Sequence, residues 1–232
     1  MLMRKSLRFA QVGLAALATL VLTATTAHAA GWSSSDKWGT WSNGGYTLSN
    51  DVWGGGAGPQ TIWANSYSNW GVTSNQPNTG GVKTYPHSGR GIGKKLSAIG
   101  RVTSNFNVTV PGSGAYETAY DIWANNNAYE IMLWMNKTGA VGPIGSKQTT
   151  VTVGGHTWDV YKGSNGANAV FSFLRHGNTN AGSVDVKAVL NWIRSKGWFG
   201  DVTLGDVQFG FEITSTGRSL NFTSNSFSVS SS

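Results

Sequence analysis

Asn127-Ala128-Tyr129-Glu130-Ile131-Met132-Leu133-Trp134-Met135-Asn136 sets one carboxylate in the middle of an otherwise apolar run. A strand sends alternate side chains to opposite faces. Tyr129, Ile131, Leu133 and Met135 therefore form one wholly apolar face, read as core, while Glu130, Met132 and Trp134 share the other. Glu occurs three times in the chain, at 117, 130 and 212. A residue used so sparingly, placed beside Met and Trp on a sheet face, needs a reason.

The run Asp206-Val207-Gln208-Phe209-Gly210-Phe211-Glu212-Ile213-Thr214 repeats the pattern. Val207, Phe209, Phe211 and Ile213 make a core face, and Glu212 points the other way beside Gln208 and Thr214. Further strands are read at Arg101 to Val110, ended by Pro111-Gly112, and at Tyr116 to Ala124, which turns through Asn125-Asn126-Asn127 into the opening stretch. Thr149 to Val153 and His156 to Tyr161 flank Gly154-Gly155, a two-residue hairpin signal. Ala169 to Arg175, Val202 to Leu204 and Leu220 to Val229 complete the later strands. From Trp32 to Trp70, short aromatic runs alternate with Gly, Asn and Ser clusters, the pattern of short strands and turns. Gly54-Gly55-Gly56 reads as a loop, and 75 to 93 is too rich in turn formers to place. One segment has helical spacing, about 184–196, with apolar residues at 186, 189, 190 and 193, Ser183 as N-cap and Gly197 closing it. The fold class expected is all-β: a jelly-roll β-sandwich of two antiparallel sheets with one packed α-helix.

Residues 1–29 read as a signal peptide, with Arg4, Lys5 and Arg8 ahead of an apolar run from about Phe9 to Leu22 and a small-residue cleavage site at Ala27-His28-Ala29. Residues 30–232 then form a single secreted, extracellular catalytic domain with no membrane span. Charged residues are 12% of the chain, against roughly 25% in an average soluble protein, so Ser, Thr, Asn and Gly must supply the solvated surface. Such a surface suits neutral partners. The formal charge of +7 includes the three leader cations, and beyond the leader Lys94-Lys95 is the one basic pair, which argues against nucleic acid. Cysteine is absent, so no disulfide braces the fold. His87, His156 and His176 lack ligand spacing, and neither metal nor cofactor is expected.

If the two strands share one sheet, both carboxylates can face a common cleft, and such a pair in a neutral, aromatic-rich secreted chain suits glycoside hydrolysis. A sugar acetal has no electrophilic carbonyl, so cleavage needs an acid to protonate the leaving oxygen and a carboxylate to meet the oxocarbenium-like carbon. Flat Trp and soft Met surfaces pack on the C–H faces of sugar rings. Against this stands the ordinary reading of a mid-strand Glu as a solvated sheet-face residue; two in matched contexts favour a site. Glu117, beside Thr118 and Ala119, is read as solvated. Asp121 shares a face with Glu117 and Trp123, and periodicity leaves it open to surface or cleft.

At these residues the chain resembles glycoside hydrolase family 12, the retaining endo-β-1,4-glucanases and xyloglucanases. Tyr129-Glu130-Ile131-Met132-Leu133-Trp134 is similar to the family's nucleophile strand, Phe209-Gly210-Phe211-Glu212 to its acid/base strand, and Ala119-Tyr120-Asp121-Ile122-Trp123 to the strand with an auxiliary Asp. Gly142-Pro143-Ile144-Gly145 resembles the loop after the nucleophile strand, Tyr46 to Gly54 the segment lining the glycone end, and Ser164-Asn165-Gly166 the place of a further cleft Asn. The resemblance implies Glu130 as nucleophile, Glu212 as acid/base and Asp121 as an auxiliary hydrogen-bonded to Glu130. It implies Asn50, Trp53, Met132, Trp134, Pro143 and Asn165 as substrate-binding residues. A monomer acting on β-1,4-linked polysaccharide (cellulose, mixed-linkage β-glucan or xyloglucan) follows; a non-catalytic glucan-binding jelly-roll module is the alternative. The chain departs from the family's common pattern at Asp51, where Asn is frequent, at Thr214, where others carry an aromatic, and in a short turn from Ala124 to Ala128.

Overall fold

The computed structural model describes residues 31–232, so the expected leader lies outside the described residues. Strands follow in chain order as β1 (Trp32–Ser34), β2 (Thr40–Asn43), β3 (Tyr46–Ser49), β4 (Gln60–Ala64), β5 (Trp70–Ser74), β6 (His87–Lys95), β7 (Val102–Thr109) and β8 (Ala115–Ala124). Then come β9 (Tyr129–Thr138), β10 (Ser146–Val153), β11 (His156–Ser164), β12 (Ala169–Arg175), β13 (Ala181–Asp185), helix α1 (Val186–Ser195), β14 (Thr203–Ser215) and β15 (Leu220–Ser231). Six strands pair in the order β1-β4-β5-β15-β7-β13 and nine in the order β10-β11-β12-β9-β8-β14-β6-β3-β2. These are the two sheets of the expected sandwich. The pairing departs from the purely antiparallel expectation once: β12 lies parallel to β9. The chain leaves β9, meanders through β10 and β11, and docks its third strand back on β9, an arrangement that residue patterning within one strand does not encode.

The opposed faces interlock through aromatic rings. Phe209 of the larger sheet meets Phe227 and Phe106 of the smaller at centroid distances of 5.3 and 5.0 Å. Phe211 meets Trp70 and Phe222, both at 5.4 Å. Val207, Phe209, Phe211, Ile213, Ile131, Leu133 and Met135 are all fully buried in this core, as their alternation predicts. Complete burial of such side chains contributes about 1.5–3 kcal/mol each, which is what holds a chain without disulfides. Among the described residues, no helix is long and apolar enough to cross a membrane.

The α1 helix buries Val186, Val189, Leu190 and Ile193, the four positions that gave it away. Its N-cap is Asp185, whose carboxylate accepts from the Ala188 N–H at 2.9 Å, and not Ser183, which pairs in β13. Asp185 satisfies an orphan donor and places its charge at the positive end of the helix. Three successive asparagines, Asn125, Asn126 and Asn127, take φ of 50, 51 and 65° in the β8–β9 turn. Asn tolerates this left-handed region better than other Cβ-bearing residues, so the turn is short and the two strands it joins are tightly registered.

Gly210 is the position where backbone approaches backbone most closely beside the larger sheet's outer face. A Cβ there would sit 2.0 Å from the Pro86 carbonyl oxygen, which accepts from the Phe211 N–H at 3.1 Å. The glycine thereby lets the segment Tyr85–His87 lie against β14 next to Glu212. We expect Gly210→Ala to force that segment outward and cost about 2–4 kcal/mol, lowering Tm by about 5–10 °C in a thermal scan. An unchanged Tm would show that the approach is not needed.

Candidate active site

The face of the nine-stranded sheet turned away from the core carries the polar members of each alternating run. In register, Trp123 of β8 lies between Glu130 of β9 and Asp206 of β14, and Asp121 lies between Met132 and Gln208. The same face opens into a cavity of about 550 Å³. Glu130, Glu212, Asp121, Trp53, Met132, Trp134 and Asn165 all line it. Strand order and the connecting loops thus bring segments far apart in the sequence to one site.

Each carboxylate is held differently. Asn165, in the β11–β12 turn, donates its Nδ2–H to Glu130 Oε2 at 3.1 Å. The orientation of that amide is fixed because its Oδ1 accepts from the N–H groups of Ala167 and Asn168, each at 2.9 Å. Burial pushes the Glu130 carboxyl up to about 7. Glu212 is also raised to about 7, first by burial and further by the Glu130 charge, with a hydrogen bond to Glu117 pulling the other way. Asp121 is buried, and its carboxyl lies well above the usual range because of that burial and the charges of Glu130 and Glu212. Its Oδ1 has no protein partner. Glu130 acts on Asp121 through its charge.

Met132 and Trp134 form the floor, packed with Ala119, Val170 and Leu174 in an apolar cluster separate from the main core. Trp53 is the opposite case, 53% exposed at the cavity margin. Trp123 donates its indole N–H to Gln208 Oε1 at 3.3 Å, and Gln208 donates in turn to Asp206 at 2.9 Å, so a polar chain fixes the cavity's aromatic edge.

Two expected substrate-binding residues lie elsewhere. Asn50 is fully buried, donating to the Asp36 carbonyl at 2.8 Å and accepting from Gln60 at 2.9 Å. The alternation of β3 stops at Ser49, and the next residue to line the cavity is Asp51, whose φ of +43° breaks the strand pattern. Pro143 is not among the lining residues; its neighbours Gly142 and Ile144 are. Glu117 corrects a third expectation. It is 2% exposed, not solvated, and faces Glu212 directly across the β8–β14 ladder. Its shared face with Asp121 was the signal for this. Tyr85 and His87 also line the cavity and come from the stretch whose structure could not be placed. Tyr85 donates its hydroxyl to the Ala119 carbonyl at 3.0 Å. His87 Nδ1 lies 2.7 Å from the Tyr85 carbonyl, which can only accept, so that nitrogen carries a hydrogen.

Comparison with known proteins places this geometry among sugar-cleaving enzymes. The family model described as Glycosyl hydrolase family 12 matches residues 33–231. A probable xyloglucan-specific endo-beta-1,4-glucanase A of Aspergillus terreus is 33% identical, covering 84% of this chain and 86% of its own. Endoglucanase S of Pectobacterium parmentieri is 31% identical over 86% and 87%. Among solved structures, the xyloglucanase domain of NopAA, a type three effector from Sinorhizobium fredii, in complex with cellobiose, superposes with a TM-score of 0.84 at 45% identity. It covers 87% of this chain and 99% of that one.

Proposed function

The chain belongs to glycosyl hydrolase family 12 and is a glycoside hydrolase, and from that premise we propose that it is a secreted endo-β-1,4-glucanase that retains anomeric configuration. The observation that carries this reading is the joint presence of Glu130 and Glu212 in one cavity, with the charge of Glu130 raising the proton affinity of Glu212. Two carboxyls that cannot easily ionise together divide the roles between them: one stays charged and the other keeps a proton. Glu130, positioned by Asn165, attacks the anomeric carbon and forms a glycosyl-enzyme. Glu212 protonates the departing glycosidic oxygen, then takes a proton from the water that releases the sugar. Burial and the charges of Glu130 and Glu212 raise the proton affinity of Asp121, which disfavours a third charge beneath the pair. Trp53, Met132 and Trp134 offer apolar surface to sugar rings, and Asp51 and Asn165 offer polar contacts. The relatives named as xyloglucan-specific favour a branched glucan among the substrates, and the leader at 1–29 favours export.

The test is incubation with soluble xyloglucan, mixed-linkage β-glucan and a soluble cellulose derivative. We expect viscosity to fall faster than reducing ends appear, the mark of internal cleavage, and proton NMR to show the β-anomer as the first product. An α-anomer appearing first would overturn retention. Absence of new reducing ends from all three would overturn the hydrolase reading itself.

A further inference from the structure

Glu117 is a buried carboxyl that the mechanism above leaves without a task. It stands opposite Glu212 in register, where facing Cβ atoms lie about 4.5–5.5 Å apart, which puts the two carboxyl groups within reach of a shared hydrogen bond. Ionised carboxylates only accept hydrogen bonds. Such a bond therefore exists only while one of the pair carries a proton. Building on the acid/base assignment of Glu212, we propose that Glu117 is the standing proton holder of this pair, a positioning residue that donates to Glu212 throughout the catalytic cycle.

The surroundings decide which partner keeps the proton. Glu117 is 2% exposed and its Oε2 is fully buried without a protein partner. A charged carboxylate with one oxygen stranded in that way is costly, whereas a neutral acid there is tolerable. Glu212 is half-buried and lines the cavity, where water or sugar can meet its charge. The groups around the pair do not reverse this. Lys137, the register partner of Glu117 on β9, is exposed to water and lowers the Glu117 proton affinity only as the last of the influences on it. Lys83, whose backbone N–H donates to Ile213 of β14, gives its ammonium to the carbonyls of Gly55 and Gly80. Asp121, Glu130, Asp206 and Asp51 can add only negative charge, and on the β6 side His87 and Tyr85 are tied to carbonyl oxygens.

The consequence is chemical. When Glu212 transfers its proton to the leaving oxygen, its O–H bond breaks and it becomes a carboxylate. The Glu117 O–H stabilises that charge and holds the group in line for its second role as base, and the Glu117 proton never leaves Glu117. Without this donor, Glu212 would hold its proton more tightly and be less well aimed.

Because Glu occurs three times in the chain, labelling with glutamate carrying ¹³C at the carboxyl carbon gives three carboxyl resonances to follow with pH. The Glu117 signal is identified by its loss in Glu117→Gln. We expect it to remain at the protonated position through the range where Glu212 ionises; ionisation of Glu117 before Glu212 overturns the proposal. Kinetics give an independent readout. Glu117→Ala should move the alkaline limb of kcat/KM upward by about one to two pH units, while Glu117→Gln, which keeps an N–H donor, should hold the limb near the wild-type position. An unmoved limb in the alanine variant, or a downward shift in the glutamine variant as expected for loss of a negative neighbour, also overturns it. Should the alanine variant not fold, the wild-type titration still decides. Wild-type protein that cleaves no glucan would instead remove the hydrolase reading, a result distinct from an active enzyme whose limb ignores Glu117.

Discussion

Glu130→Gln is expected to lose about four orders of magnitude in kcat while oligosaccharide affinity changes by less than about tenfold. The substitution keeps the shape of the side chain, and its amide oxygen can still accept from Asn165, so the cavity and fold are preserved. What disappears is the nucleophile: an amide neither bonds covalently to the anomeric carbon nor offers a full charge to the oxocarbenium-like transition state. Calorimetric binding of a cello-oligosaccharide beside steady-state rates on a soluble glucan separates the two quantities. Glu130→Ala provides the complement. It opens space beside the sugar, and added azide should restore turnover with a glycosyl azide of inverted configuration as product. Turnover above about a hundredth of wild type in Glu130→Gln would remove Glu130 from the role of nucleophile.

The fold was readable because its dominant force writes itself into the sequence with period two. Each of Val207, Phe209, Phe211 and Ile213 is fully buried, and the intervening residues had to face elsewhere. The hairpin at Gly154-Gly155 was equally plain, since both residues adopt positive φ, 63 and 93°, as such a turn demands. What stayed hidden was which strands become neighbours. The parallel docking of β12 on β9 brings Asn165 to Glu130, and strand patterning cannot report it. Asp51 was missed by one position because alternation holds only within a strand, and the chain leaves β3 just before it. Tyr85 and His87 were missed because a glycine on another strand, Gly210, creates their place. The misreading of Glu117 is the instructive case. Its small neighbours along the chain suggested solvent, but the neighbours that bury it come from across the ladder.

Glu212→Ala should affect substrates according to how much help their leaving groups need. On a polysaccharide, where the departing alcohol must be protonated as the bond breaks, kcat should fall by about 10²–10⁴-fold, the usual contribution of a positioned acid. On an aryl glycoside with an acidic phenol as leaving group, formation of the glycosyl-enzyme should be nearly as fast as in wild type, and the intermediate should then accumulate because no base remains to activate water. The pH profile supplies the sign. Both carboxyls are held near 7, and the active form of the pair has Glu130 ionised and Glu212 protonated. Activity therefore falls below this window as Glu130 takes up a proton, and above it as Glu212 loses one, with limbs that belong to the coupled pair. Removing Glu212 should abolish the alkaline limb on the activated substrate and leave the acid limb in place. If the alkaline limb survives in Glu212→Ala, the proton donor is another group, and the buried acids at Asp121 and Glu117 become the residues to replace next.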